Sequence, residues 1–143
     1  MEREQAIKYM RDLLTLIVQK KGSDMFITKD FPPAMKLDGK VTPVSKTKLS
    51  GDNTKALAYA IMNDRQIKEY EATKECNFAI APAGIGRFRC NAYIQQGACG
   101  LVLRVIETEV PNLDKLGLPE VLKEIISAKR GLVIMVGGTG SGK

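Results

Sequence analysis

The final stretch of the chain, GLVIMVGGTGSGK (131–143), constrains its fold more than any other part of the sequence. The run GLVIMV (131–136) is continuously apolar, which is typical of a strand covered on both faces of a sheet. The glycine-rich segment that follows matches G-x-x-x-x-G-K, the phosphate-binding loop of ATP- and GTP-using proteins. A buried strand leading into this loop predicts the first part of an α/β nucleotide-binding domain.

The loop supplies the candidate cofactor-binding residues. Its glycines permit backbone angles that other residues avoid, so that amide groups can surround phosphate oxygens, and Lys143 would add positive charge at the β- and γ-phosphates. A Ser or Thr after the lysine completes the pattern by binding magnesium, so we expect ATP and Mg²⁺ to be cofactors of a longer protein, with no metal ligand in this sequence. We expect the 143-residue chain itself to bind ATP weakly or not at all and to hydrolyse none. The candidate loop residues are Gly137, Gly138, Thr139, Gly140, Ser141, Gly142 and Lys143.

Residues 1–106 have the pattern of a complete small α+β domain on an antiparallel sheet. Apolar residues at helical spacing predict helices, and Asp38-Gly39 between two short alternating runs predicts a hairpin. The predicted helices cover 3–20, 52–62 and 64–73, and the predicted strands cover 24–28, the hairpin 34–44, 76–81, 87–95 and 100–106.

The character of the sequence changes after residue 106. Residues 107–117 are charged and interrupted by turn signals, which predicts a linker, and residues 118–128 predict a helix with Pro119 in its first turn. One parallel-type strand cannot make a sheet. We therefore expect 118–143 to be the start of a truncated domain, with 131–143 either disordered or packed against a second molecule.

The composition excludes several classes of protein. The sequence has no histidine and three cysteines, none in a C-x-x-C spacing, which argues against a zinc site and for reduced thiols that behave as small hydrophobes. The net charge of +6 falls within residues 1–106, but its basic residues are scattered, which argues against nucleic acid as a partner. No apolar stretch has the length of a membrane span or the position of a signal peptide, so we expect a soluble, intracellular chain.

Three arginines on the long strands are candidate anion ligands. Alternation places Arg87 and Arg89 on one face of strand 87–95, and a two-residue turn at Gln96-Gly97 would set Arg89 directly opposite Arg104. Like charges at such positions disfavour pairing by a few tenths to about 1 kcal/mol, and a phosphate between two guanidinium groups would remove this cost. The alternative is three solvated surface arginines, and the sequence leaves both open.

Several motifs, taken together and in order, resemble a known family. They are GSDMFIT (22–28), PPAMKLDGKVTPV (32–44), GRFRCNAYIQQGACGLVLRVI (86–106), LGLPEVLKEI (116–125) and RGLVIMVGGTGSGK (130–143). These motifs are similar to the secretion ATPases and, within them, to the type IV pilus retraction ATPases of the PilT and PilU kind. Met25-Phe26, where such sequences often carry His, and the VGGTGSGK loop favour the accessory, PilU-like branch.

The resemblance implies a hexameric ring motor that powers pilus retraction and twitching motility. Each subunit would join a PAS-like N-terminal domain, here 1–106, through a flexible linker to a RecA-like ATPase domain that starts within 118–143. The N-terminal domain would close over nucleotide and contact the neighbouring subunit. Arg89 and Arg104 match the family's phosphate-contacting arginines, which makes them candidate catalytic residues, and Arg87 lies beside them as a candidate nucleotide ligand.

The resemblance also implies partners and a location. Expected partners are further copies of the chain, another pilus retraction ATPase and the inner-membrane platform protein, and the expected location is cytoplasmic, peripheral to the inner membrane at the pilus base. Two alternatives without ATPase activity remain. A stand-alone PAS-like adaptor would need a small-molecule cavity in residues 1–106, and an interaction module would dock on a partner ring without binding ATP.

Overall fold

The computed structural model describes residues 1–108 and 112–138. The chain divides into two compact units, Met1–Thr108 and Glu109–Lys143. No helix in the described ranges combines the length and the apolar character that crossing a bilayer requires.

The helices and strands follow the predicted order through the first unit. Strand 87–95 and helix 64–73 have the predicted bounds, whereas the helix predicted for 52–62 ends at Tyr59. The helices of this unit are α1 (Arg3–Gln19), α2 (Gly51–Tyr59) and α3 (Asp64–Thr73), and its strands are β1 (Asp24–Ile27), β2 (Ala34–Leu37), β3 (Lys40–Pro43), β4 (Glu75–Ile80), β5 (Arg87–Gln95) and β6 (Ala98–Ile106).

The strands of residues 1–108 form one antiparallel sheet in the order β3-β2-β1-β6-β5-β4. The sheet has one face against the core and one face largely in solvent, as antiparallel sheets often do. Met25, Phe88, Cys90, Leu101 and Leu103 project into the core and are fully buried. Apolar residues of α1 and α2 join them there, and the predicted α+β class is confirmed.

Two tight turns fix the register of the hairpins. Asp38 and Gly39 have φ angles of 47° and 79°, and Gln96 and Gly97 have φ angles of 50° and 73°. Turns with two successive left-handed residues match the twist of the adjoining strands. Asn, Asp and Gly are favoured in such turns because they tolerate positive φ angles. The turn at 96–97 pairs Gln95 with Ala98, as the sequence predicted.

Helix α1 ends at Gln19, one residue before the predicted boundary at residue 20. Lys21 adopts the left-handed conformation, with φ of 55°, and the amide of Gly22 donates to the carbonyl of Ile17 at 2.9 Å. A Cβ at Gly22 would lie 2.8 Å from Ile17 Cγ1 and 3.2 Å from the carbonyl oxygen of Lys36. Glycine is needed here for close packing of the helix end against β2.

The second unit contains short elements in its described residues 112–138. A 3₁₀ turn spans Leu113–Leu116, and α4 spans Val121–Ser127. Helix α4 is shorter than the predicted 118–128. Pro119 and Glu120 precede it, and their carbonyls accept i to i−3 hydrogen bonds from the amides of Leu122 and Lys123. Lys123 also forms an ion pair with Asp114.

The strand predicted at 131–136 is not confirmed, because residues 131–138 have no strand conformation. Leu132 is 83% exposed and Val136 is 90% exposed. A strand satisfies its backbone groups only by pairing with a neighbour, and none of the described strands pairs with this segment. The element named as the first strand of a RecA-like domain is therefore not formed here.

Candidate phosphate-binding site on the open sheet face

The predicted arginines lie on the solvent face of the sheet. Arg89 is directly opposite Arg104 in the pairing of β5 with β6, and Arg87 is opposite Ile106, so the predicted register is confirmed. Arg87, Arg89 and Arg104 are all exposed. Among the described residues, no side chain forms a hydrogen bond or ion pair with Arg89.

Asp24 is the nearest counter-charge to this arginine pair. It occupies the position on β1 opposite Arg104 of β6, and Arg104 donates from Nε to Asp24 Oδ1 at 2.8 Å. The side chain of Asp24 is 8% exposed, against 72% for Arg104. The hydroxyl of Ser23 donates to the second carboxylate oxygen at 2.9 Å, so both oxygens accept a hydrogen bond.

The environment of Asp24 stabilises its ionised form. Burial alone would raise the pKa of Asp24, but the hydrogen bonds from Arg104 and Ser23 and the charges of Arg104 and Lys36 outweigh it, so the pKa is lowered. Lys36 lies opposite Asp24 on the other neighbouring strand, β2. The row of residues across the sheet is thus Lys36, Asp24, Arg104 and Arg89, with three cations and one anion.

A hollow of about 240 Å³ lies over Asp24, Arg104 and Arg89 of this row. Its lining residues are Asp24, Asn77, Arg89, Asn91, Val102 and Arg104. The asparagines engage each other and Glu75: Asn91 Nδ2 donates to Asn77 Oδ1 at 2.9 Å and to Glu75 Oε1 at 3.0 Å, and Asn77 Nδ2 donates to the same Glu75 oxygen. The arginines are therefore the cationic donors that face the hollow.

Sequence reasoning did not identify Asp24, Lys36 or Asn77 as part of this surface. The signal for Asp24 was present, because a carboxylate inside the short apolar strand DMFI needs a partner to be buried. The identity of that partner, eighty residues away, depends on which strands are neighbours. The order in the sheet decides this, and no local pattern predicts it.

The phosphate-loop candidates lie in the second unit. Gly137 and Gly138 have no helix or strand conformation, and Thr139, Gly140, Ser141, Gly142 and Lys143 lie outside the described residues. Within residues 1–108 and 112–138, no three His, Cys, Asp or Glu side chains are grouped as metal ligands.

A larger hollow, of about 530 Å³, opens beside α2, α3 and the turn between β5 and β6. Its polar groups are largely engaged with each other. Lys55 Nζ lies 5.1 Å from the centroid of the Tyr59 ring, Tyr59 donates to Glu71 at 2.9 Å, and Lys74 donates to the backbone carbonyl of Glu71 at 2.7 Å. Burial and the Glu71 carboxylate raise the pKa of Tyr59 to about 12, so this phenol stays protonated at neutral pH.

Comparison with known proteins shows what the chain is similar to. It is 52% identical over 131 residues to the type IV pilus ATPase PilU of Pseudomonas aeruginosa, covering 92% of this chain and 34% of that protein. It is 37% identical over 132 residues to the type IV pilus retraction ATPase PilT of the same organism, covering 92% of this chain and 38% of that protein. The chain thus spans about a third of the length of the curated relatives it matches. The higher identity to PilU agrees with the PilU-like features of the sequence.

The fold has a counterpart among solved structures. A crystal structure of the pilus retraction motor PilT with bound ADP superposes with a TM-score of 0.78 at 32% identity, covering 92% of this chain and 39% of that one. No family model matches the sequence. The relatives define a class, the ATPases of type IV pili. Within that class, the chain is similar to the type IV pilus retraction ATPases over 92% of its length, as its motifs predicted.

Proposed function

We propose that this chain provides the N-terminal domain and the phosphate loop of a hexameric, ATP-driven motor that retracts type IV pili and so powers twitching motility. The observation that carries the proposal is the 52% identity to a type IV pilus ATPase over 92% of the chain. The G-x-x-x-x-G-K pattern at 137–143 supports the ATP-using part of it. Residues 1–106 act as a PAS-like domain, 107–117 as the linker, and 118–143 as the start of a RecA-like ATPase domain.

The arginines bind the phosphates in this proposal. ATP, when bound, supplies the phosphoanhydride bond whose hydrolysis drives the motor. Lys143 and the amides of the loop hold the phosphates from the ATPase domain, and Arg89 and Arg104 approach them when the N-terminal domain closes, with Arg87 beside them. The observed geometry supports these roles, because two guanidinium groups face each other on an open surface and can bind phosphate oxygens in a two-pronged manner.

Closure of the N-terminal domain over nucleotide is the mechanical step. It occurs within a ring of identical subunits, in which each N-terminal domain contacts the neighbouring subunit. The remaining partners are another pilus retraction ATPase and the platform protein of the inner membrane, at the cytoplasmic base of the pilus. The identity to PilU supports an accessory role beside a second motor.

The test begins with the gene, which is read past codon 143 and expressed as its complete product. We expect a Ser or Thr codon to follow Lys143. We also expect Lys143→Ala to abolish ATP turnover, because the loop loses the charge that binds the β- and γ-phosphates. Arg89→Ala and Arg104→Ala should each lower kcat by about 10²-fold or more, the usual loss when one donor to a developing anion is removed.

Arg65→Ala is the matched control, because Arg65 is an exposed arginine on α3. This substitution should leave kcat unchanged. A stop codon after Lys143, or full turnover in the Lys143→Ala protein, would refute the motor function. Retained turnover in both Arg89→Ala and Arg104→Ala, with turnover lost in Lys143→Ala, would refute the arginine roles alone.

A further inference from the structure

The contact between Arg104 and Asp24 uses one edge of the guanidinium group. Nε of Arg104 donates to Asp24 Oδ1 at 2.8 Å, and in the described part of the chain no other side-chain hydrogen bond engages this arginine. Its terminal amino groups remain available on a side chain that is 72% exposed. A guanidinium group carries five N–H donors in a fixed plane, so a carboxylate at Nε orients the remaining donors without consuming them.

Asp24 is held rigidly enough to act as such a support. It lies within β1, between β2 and β6, and its side chain is only 8% exposed. Ser23 donates to its second oxygen at 2.9 Å. A carboxylate fixed by its strand and by the hydrogen bond from Ser23 restricts where the flexible arginine side chain can place its head group.

We infer that Asp24 is a positioning residue that presents the terminal amino groups of Arg104 to a phosphate of the nucleotide. This inference rests on the proposed function of Arg89 and Arg104. Asp24 itself does not touch the nucleotide; it binds the inner edge of the guanidinium group, and the phosphate binds the outer edge.

The charges around the hollow are consistent with a bound anion in spite of the carboxylate. Asp24 is nearly buried beneath Arg104, and Lys36 lies opposite it on β2. Arg89 faces Arg104 across the strand pair and has no partner among the described side chains. An anion placed over the two arginines therefore meets a positive surface.

The test is a double-mutant cycle on the ATPase activity of the complete gene product. We expect Asp24→Asn to lower kcat about 10-fold or more, because a small misplacement of a phosphate-binding group is costly, with a smaller change in KM. In an Arg104→Ala background, Asp24→Asn should cause no further loss. In an Arg89→Ala background it should still cause its full loss, since Asp24 acts through Arg104.

A second substitution tests the two-edged contact directly. Arg104→Lys keeps a cation beside Asp24, so the thermal unfolding temperature should stay close to that of the native protein. An ammonium group has no separate edges with which to hold a carboxylate and a phosphate in one plane, so kcat should fall as far as in Arg104→Ala. This comparison does not depend on the folding of Asp24→Asn.

Asp38→Asn is the matched control, because Asp38 is an exposed aspartate at a hairpin turn. This substitution should leave kcat unchanged. An equal loss from Asp24→Asn with and without Arg104, or a kcat for Arg104→Lys equal to that of the native protein, would overturn the inference. The Lys143→Ala protein separates a failure of the inference about Asp24 from a failure of the proposed function. If it loses turnover while Asp24→Asn does not, only the role of Asp24 fails; if it retains turnover, the proposed function fails.

Discussion

Two apolar segments that both begin Gly-Leu-Val differ in conformation and burial between the two units. GLVLRVI (100–106) lies in β6, pairs with β1 and β5, and buries Leu101 and Leu103 completely. GLVIMV (131–136) pairs with no described strand, and Leu132 is 83% exposed. Strand propensity measures how well a residue fits a pleated, half-buried surface. The comparison shows that such a run becomes a strand only where neighbouring strands supply hydrogen bonds and cover.

The largest expected difference between the units is in thiol reactivity. Cys76, Cys90 and Cys99 are all buried in the first unit, and burial raises the pKa of the Cys90 thiol to about 12. A thiol introduced by Ser127→Cys, at an exposed position of α4, should react with a thiol reagent at pH 8 at the rate of a free cysteine. The native thiols react only after the folded unit opens, which costs several kcal/mol. Their reaction rate should therefore be at most about one-thousandth of the rate of the introduced thiol.

In denaturant the native and introduced thiols should react at similar rates, which controls for intrinsic reactivity. Equal rates under native conditions would show that the first unit does not protect its core, and would remove the distinction between the units.

A pair of identical substitutions tests the same distinction by stability. Leu101→Ala removes a fully buried side chain and should lower the free energy of unfolding by about 2–5 kcal/mol, through lost burial and the cavity that remains. Leu132→Ala changes an exposed side chain and should alter the free energy by about 0.5 kcal/mol or less. Urea denaturation, monitored by circular dichroism, measures both.

A loss from Leu132→Ala as large as that from Leu101→Ala would contradict the exposed state of 131–136. It would indicate that this segment is covered in solution.

The smallest expected effect concerns the pH dependence that Asp24 gives to the first unit. The folded-state pKa of Asp24 is lowered from its ordinary value of 3.8, so its contribution to stability is fully present above that value. The contribution is lost as the pH falls through the lowered pKa, because the unfolded chain then binds more protons than the folded one. Below about pH 4, the unfolding temperature of the Asp24→Asn protein should therefore decline less steeply with falling pH than that of the native protein.

Asp38→Asn again serves as the control, since its exposed carboxylate should leave the slope unchanged. A slope for Asp24→Asn equal to that of the native protein would mean that the contacts with Arg104 and Ser23 do not stabilise the ionised form.

Much of the first unit follows from local sequence patterns. The turn at Gln96-Gly97 sets the register of β5 against β6, and this alone places Arg89 opposite Arg104. The Asn63 cap of α3, which is matched by Gln66 in a reciprocal pair of hydrogen bonds, is likewise a local feature. Features of this kind can be predicted from the sequence because their physical causes lie within a few residues.

The features that local patterns do not predict depend on distant residues. The apolar run at 131–136 favours a strand, but strand formation also needs a partner strand. The sequence left open whether the arginine pair binds an anion, and it did not identify Asp24 as a counter-charge on the other side of Arg104. The residue roles at the nucleotide, the hexamer and the location at the pilus base remain predictions.

The sequence by itself determined the α+β class, the hairpin register, the arginine pair and the resemblance to pilus retraction ATPases, because periodicity, turn chemistry and motif order are properties of neighbouring residues. The tertiary structure decided that β1 lies between β2 and β6, and with it the contact between Asp24 and Arg104. Strand order depends on how apolar faces pack together over the whole unit. A buried carboxylate and an exposed arginine, eighty positions apart in the chain, become one site only when that packing makes their strands neighbours.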